Sequence, residues 1–526
     1  MTLPAPRLPV LAAALAVVAC LGFALFTGHI WEDYFITFRS SLNLATGHGL
    51  VYQPGERVHS FTSPLGTLLP ALFAVGGGDA TARALWCFRL VSAAALGGAL
   101  WLGARTMLRD GLTPFAVGAA AALWALDAKT IDFAINGQEA ALLIFFVVLT
   151  WHALVTGASA WRVALGCAGL QWTRPDGGVF FAALAVAWLA FGAGPGRRAR
   201  LRTLVSAVAL GLALYLPWLI FAWAYYGSPV PHTILAKVSH YGSGELVRAW
   251  VLYPWRLLFG HTALHDLFRP AYFYFGGWPG ALAGVSRLLA VGAALPWAWP
   301  AVRPAGRVAA AAFFLGGFYV EYIPRSPWYY PAWQALAFLA WAFLLDAAWR
   351  VSSRAQSPVR VLAGSLVALQ AALLLAVAWQ MRAQQSIIED GQRTVIGRWL
   401  RAHAAPGERV YLEPLGYIGF FSGLKMLDYP GLAAPEVVAA RRAGAKPHAQ
   451  LIAALRPDWL VLRPDQVGGV NVEQPRLLVD DYRLARVFDV RAALDAVAVL
   501  PGRGYLEFDA QYFVFARAGA PGAKPP

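Results

Sequence analysis

Glu32 and Asp33 stand side by side where the first long apolar run ends, in "GHIWEDYFITFRSSLNLATGHGLVYQPGERVHSFTSPLG" (28–66), the densest group of polar side chains in the chain. Adjacent carboxylates repel, and one at the edge of a membrane-length run is partly desolvated, so one of the pair should hold its proton to higher pH than usual. Such a group suits a general base that accepts a hydroxyl proton near neutral pH. The plainer reading is a solvated helix end. The same stretch carries Arg39 and His59.

Other polar islands have residue types that hold anions or sugars. "QWTRPDGG" sets Arg174 and Asp176 between two short apolar segments, where Pro175, Gly177 and Gly178 interrupt the helix. Irregular backbone at that depth is tolerated where it lines a cavity, and a guanidinium there can take an anionic head group with two hydrogen bonds. A tight turn between spans is the alternative. "YYGSPVPHTILAK" places Tyr226, His232 and Lys237 together, and "EYIPRSPWYY" adds Glu321, Arg325, Tyr329 and Tyr330. The cations suit a phosphate and the aromatic faces suit sugar rings, although tyrosines there also serve as an interfacial belt. Glu139 in "INGQEAAL" heads an apolar run, where a helix N-terminus favours an anion in any case.

The elements that position these islands follow from composition. Of 526 residues, 59% are apolar and only 13% charged, more apolar surface than one water-soluble core could hide. Apolar windows of membrane length fall near 8–28, 80–104, 113–129, 138–157, 160–173, 177–193, 203–224, 279–300, 307–323, 331–348 and 361–381. The window 63–78 is short and glycine-ended, either a surface helix or a span. If it does not span, Arg105, Arg162, Arg198, Arg303 and Arg350 fall on one side with Arg7, as the positive-inside rule requires. The expectation is therefore a multi-span α-helical membrane protein of about eleven transmembrane helices, residues 1–381, with its N-terminus in the cytoplasm. The loop 29–79 and every other polar island then face outside.

After residue 381 the pattern changes to strand-like runs such as "ERVYLE" and "QYFVFARA", with an amphipathic stretch at "HAQLIAALRPDWLVLRP". Residues 382–526 are expected to form an extracytoplasmic α/β domain. That region has 18 Lys and Arg against 15 Asp and Glu, so most of the net +15 lies among the spans, where lipid head groups call for it, and nucleic acid is not an expected partner. Cys20, Cys87 and Cys167 all lie in apolar segments, which excludes a disulfide framework. No ligand spacing specifies a metal and no cofactor is required by the sequence; a divalent cation is left open.

The chain lacks a Walker P-loop, a convincing G-x-G-x-x-G, a G-x-S-x-G and an H-E-x-x-H, the usual signatures of nucleotide-driven work, nicotinamide chemistry and common hydrolysis. A donor that needs no nucleotide fits best. A lipid-phosphate-linked sugar is one, because its leaving group is anionic and already at the membrane.

"WEDYFITFRSSLNLATGHGLVYQPGERVHSFTSPLGTLLPAL" resembles the opening of GT-C superfamily members related to the terminal arabinofuranosyltransferases of mycobacterial cell walls. "NGQEAALL", "TRPDGG", "YYGSPVPHTILAK", "PWYYPAW" and "GYIGFFSGLKMLDYPGLAAPEVV" resemble later motifs of that family in the same order, over nearly the whole chain. The resemblance implies a GT-C fold in a bacterial inner membrane, a polyprenyl-phosphate sugar donor, inversion at the anomeric carbon, and a hydroxyl acceptor on an envelope glycan or glycolipid. It implies Asp33 as general base supported by Glu32, with Arg174, Lys237, His232 and Arg325 at the donor phosphate. Arg39, His59, Glu139, Asp176, Tyr226, Glu321, Tyr329 and Tyr330 are then candidates for substrate contact. His59 stands where relatives more often carry Glu, and "GQEA" replaces "GMET" or "GLET", so arabinose is not carried over. The rival class is a lipid-linked sugar flippase or other carrier, which explains many spans but not polar loops gathered on one side with an outer domain.

Overall fold

The computed structural model describes residues 7–194, 196–238, 243–323 and 326–519; Arg325 lies outside the described residues. Each of the eleven apolar windows falls on a helix: Leu8–Thr27, Ala80–Arg109, Pro114–Ala125, Ala140–Val155, Ala160–Thr173, Gly177–Phe191, Arg197–Tyr226, Ala281–Ala294, Pro304–Val320, Pro331–Val351 and Ser353–Ala383. Among the described residues six helices are long and apolar enough to cross a membrane, and a seventh span arises if Ala128–Ile135 and Ala140–Val155, which meet at 114°, form one broken crossing. The chain is a multi-pass membrane protein. Helix Arg197–Tyr226 leaves Val205, Leu212, Ile220 and Trp223 exposed, as lipid-facing positions do, whereas Pro331–Val351 is buried nearly throughout and forms the centre of the bundle.

The window 113–129 departs from expectation in length, whereas 63–78 is short as its sequence indicates. The window 113–129 is not one helix. Asp127 caps a new helix, its carboxylate accepting the Thr130 amide at 2.9 Å, so Pro114–Ala125 stops after 12 residues. That is about 18 Å, short of the roughly 30 Å hydrocarbon layer. Pro64–Ala74, 11 residues long, is shorter still and cannot cross alone.

The helix bearing the acid pair is fixed from both ends. Gly28, at φ +62°, stops the first helix, and the Trp31 amide donates to the Asn136 carbonyl at 3.0 Å just before helix Glu32–Ala45 begins. Gly137, at φ +95°, lies in the break of the bent helix pair, and a Cβ there would come within 2.6 Å of the Tyr34 ring. A side chain at 137 would therefore hold the two turns apart and keep Glu139 away from the acids.

The last long helix runs through a π-helical stretch, Gln384–Arg393, and helix Thr394–His403 into a five-stranded sheet. Its strands are β1 (Arg409–Leu412), β2 (Lys425–Asp428), β3 (Trp459–Leu462), β4 (Tyr482–Asp489) and β5 (Gln511–Arg517), in the order β2-β1-β3-β5-β4. β1 pairs in parallel with β2 and β3, whereas β5 runs antiparallel to β3 and β4. The run "WLVL" of β3 is wholly buried, as a central strand covered on both faces should be. "ERVYLE" and "QYFVFARA" become β1 and β5, and the amphipathic stretch becomes helix His448–Leu455 followed by β3.

Candidate active site

Glu32 and Asp33 occupy the first turn of their helix, where the exposed amides favour negative charge. Being neighbours, they diverge and meet different partners. Glu32 turns toward the sheet domain: its Oε1 accepts the Gly416 amide at 2.6 Å. Asp33 turns toward the bundle loops, where Lys237, Glu139 and Arg174 act on it. Burial pushes the Glu32 carboxyl up to about 8, opposed by Arg393 and reinforced by Asp33. Burial also raises Asp33, with Lys237 pulling it down, Glu139 adding to the rise and Arg174 opposing it.

Arg174 joins several of the sequence-predicted residues in one cluster. Its Nη1 donates to Glu139 Oε1 at 2.7 Å and its Nε to Asp176 Oδ1 at 2.8 Å. The guanidinium lies 4.4 Å from the Tyr329 ring centre, and Tyr319 donates its hydroxyl to the other oxygen of Asp176 at 2.6 Å. Burial disfavours this cation, but Asp176, Tyr329 and Glu139 outweigh it and keep Arg174 charged. Lys237, on the short helix His232–Val238, sits 5.9 Å from the Trp328 ring. The structure thus gathers Asp33, Glu139, Arg174, Asp176, Tyr329 and Lys237 from five separate stretches of chain.

Other candidates are engaged elsewhere. Arg39 Nη1 donates to the Gly419 carbonyl at 2.8 Å and its Nη2 to Gln53, Gly423 and Leu424 at 3.0 to 3.2 Å, with Tyr52 beneath it. A fork given over to carbonyls at a helix end docks the sheet domain and leaves little for substrate. His59 is buried against Tyr226, rings parallel at 4.6 Å, and burial lowers it to about 4; the Tyr226 hydroxyl is bound to the Leu50 carbonyl at 2.6 Å. This pair builds the wall behind Lys237, since the His59 carbonyl accepts the His232 amide at 2.9 Å. The His232 ring faces Gly431 and Glu436 of the sheet domain, and burial together with Arg442 holds it below its ordinary pKa. Glu321 accepts the Ala263 amide at 2.6 Å, and Tyr330 lies 4.7 Å below the Lys129 ammonium.

Sequence reasoning missed Arg393, Gly416 and Tyr272. Tyr272 stacks on Tyr505 of the sheet domain at 4.0 Å and feels the charge of Asp33, closing the site from the side of the 263–280 loop. The signal for Arg393 was present in "EDGQRTV", a carboxylate and guanidinium four residues apart directly after the last span, as Glu32 and Asp33 follow the first. Among the described residues no group of three or more His, Cys, Asp and Glu is placed to hold a metal ion.

Residues 380–514 match a family described as a domain of unknown function, DUF8728, and no curated protein matches the chain. Among solved structures, ArnT from Cupriavidus metallidurans bound to undecaprenyl phosphate superposes with TM-score 0.53 at 14% identity, covering 98% of this chain and 99% of that one. The same protein in its apo state gives TM-score 0.57 at 15% identity over the same shares. The chain shares the fold of ArnT. Arabinofuranosyltransferase AftD from Mycobacteria is similar over 98% of this chain but 42% of its own, at 17% identity and TM-score 0.42. The likeness to ArnT runs end to end, so it takes in the helical bundle and the sheet domain together.

Proposed function

We propose that this protein is a membrane glycosyltransferase that moves a sugar from a polyprenyl-phosphate donor to a hydroxyl of an envelope glycan or glycolipid, with inversion. The observation that carries this reading is Asp33, a half-buried carboxylate acted on by Lys237 and Arg174 at the mouth of a membrane bundle. Support also comes from the fold shared with ArnT, whose structure was solved with undecaprenyl phosphate bound. In this reading the groups lie on the extracytoplasmic face of the inner membrane, where a lipid-held donor meets an acceptor arriving from water; the arginine-rich loops gathered on the opposite side support it.

In this scheme Asp33 takes the proton of the acceptor hydroxyl, whose oxygen attacks the anomeric carbon. The bond from that carbon to the phosphate oxygen breaks, and the polyprenyl phosphate leaves with one more negative charge than it had in the donor. Lys237 supplies positive charge where that charge develops, with Arg174, His232 and Arg325 as further candidates for hydrogen bonds to the phosphate; one such donor is worth about 10²- to 10³-fold in rate. Tyr329, beside Arg174, offers an aromatic ring to the sugar. A divalent cation can join the phosphate without changing the role of Asp33.

The deciding experiment incubates the purified protein with lipid-linked sugars and candidate acceptor glycans. Released polyprenyl phosphate together with a sugar-extended acceptor supports transfer. Passage of intact donor across vesicle membranes with no release would identify a carrier.

A further inference from the structure

The sheet domain reaches the acid pair at Gly416, a point that the scheme above leaves unassigned. Gly416, the first residue of helix Gly416–Ser422, donates its amide to Glu32, and a Cβ at that position would lie 2.0 Å from the Glu32 carbonyl oxygen and 3.0 Å from its Cγ. No residue with a side chain fits against Glu32 there. Arg393 lies on the π-helical stretch whose Gln385 accepts the Ile30 amide at 3.0 Å, two residues before Glu32. Its side chain is 4% exposed, with Nη1 bound to both oxygens of Glu389 at 2.9 and 3.0 Å and Nη2 to Asp509 at 2.6 Å. Asp509 in turn accepts Arg463 at 2.7 Å and the Tyr512 hydroxyl at 2.7 Å, so a chain of buried charge runs from Glu389 into the sheet.

Burying such a chain is expensive, and apolar side chains of similar volume would commonly hold a domain together as well. Its position against the acid pair gives it another use. We infer that the sheet domain is a working part of the active site: Gly416 is a positioning residue that holds Glu32, with the charges of Arg393 and Glu389 set beside it, leaving Asp33 to take the acceptor proton. This rests on the reading of Asp33 given above. All the residues concerned, Glu389, Arg393, Gly416 and Asp509, fall within the 380–514 segment of unknown function, which thereby acquires one.

The charges around Glu32 set the signs of the test. Arg393 favours its ionised form, Asp33 and Glu389 oppose it, the Gly416 amide favours it, and Tyr52 lies nearby. Asp33 faces Lys237, Glu139, Arg174, Arg393 and Tyr272. Removing Arg393 should therefore make Glu32 keep its proton to higher pH, and removing the Glu389 charge should let it go at lower pH, each by about one unit. Carboxyl infrared titration of the purified full-length protein, with Glu32 assigned by difference from Glu32→Gln, reads this without turnover.

Opposite displacements in Arg393→Gln and Glu389→Gln, with Arg393→Lys close to wild type, support the inference, and the acid limb of the transfer rate should move the same way. If Arg393→Gln does not fold, Glu389→Gln decides alone. An unmoved Glu32 midpoint in Glu389→Gln, or a transfer rate that falls by one factor at every pH, would reduce the network to domain docking and overturn the inference. Opposed displacements in a protein that transfers no sugar would preserve the coupling and overturn only the reaction.

Discussion

Exchanging Asp33 for Asn keeps the outline of the side chain and removes its ability to accept a proton. Transfer by Asp33→Asn should fall about 10²- to 10⁴-fold while lipid-linked donor still binds, measured by polyprenyl phosphate release and by donor binding in detergent. Near-wild-type turnover would exclude Asp33 as the base. Glu32 makes a different prediction, one about stability. Its carboxyl is raised from the ordinary range to about 8, so between about pH 4.5 and 8 the folded protein keeps a proton that the unfolded chain releases. Wild-type stability must therefore decline as pH rises through that window. Glu32→Gln, which can still accept the Gly416 amide, escapes the decline, and its thermal midpoint should exceed that of the wild type by more at pH 8 than at pH 5. Equal midpoints at both pH values would mean that Glu32 titrates normally.

Among the elements, the turn between Ala160–Thr173 and Gly177–Phe191 has the most at stake. Arg174 there pairs with Glu139, the residue just before Ala140–Val155, and with Asp176, the residue just before Gly177–Phe191, so one guanidinium joins two helix starts. Arg174→Ala leaves both carboxylates buried without their partner, and breaking a buried pair of this kind costs about 3 to 5 kcal/mol. The loss should appear as a lower thermal midpoint in detergent and less membrane-inserted protein, in addition to any loss of donor consumption. Lys237 lies on a seven-residue helix beside Trp328, and under the proposed role Lys237→Ala should reduce donor consumption at undiminished abundance. A fall in abundance for Lys237→Ala equal to that for Arg174→Ala would mark both residues as structural.

Over the whole molecule, charge asymmetry and the proposed chemistry make one claim about sides. With the native cysteines replaced, a single cysteine at Arg442 should be labelled in intact cells by a membrane-impermeant thiol reagent, and one at Arg200 only after the cells are opened. The reverse pattern would put the acid pair in the cytoplasm and remove the lipid-linked donor from its reach. The native thiols are suited to removal, since Cys20 and Cys167 are buried and Cys87 is half-buried, with no disulfide among them. Apolarity, span positions and the change of pattern after the last helix are properties of windows some twenty residues long, and burial in lipid or in a sheet acts on such windows directly. For that reason the apolar helices, the polar islands beside them, and β1 and β5 could be read from the sequence, and motif order pointed to the fold. Partnership has no such local signature. Arg39 and Arg174 are the same residue type in similar islands, yet one is turned onto the carbonyls of Gly419, Gly423 and Leu424, and the other is held between two carboxylates beside Asp33. Glu32 and Gly416 meet across 384 positions of chain. A hydrogen bond of 2.6 Å needs both groups brought to one place, and only the packing of the sheet domain against the bundle does that.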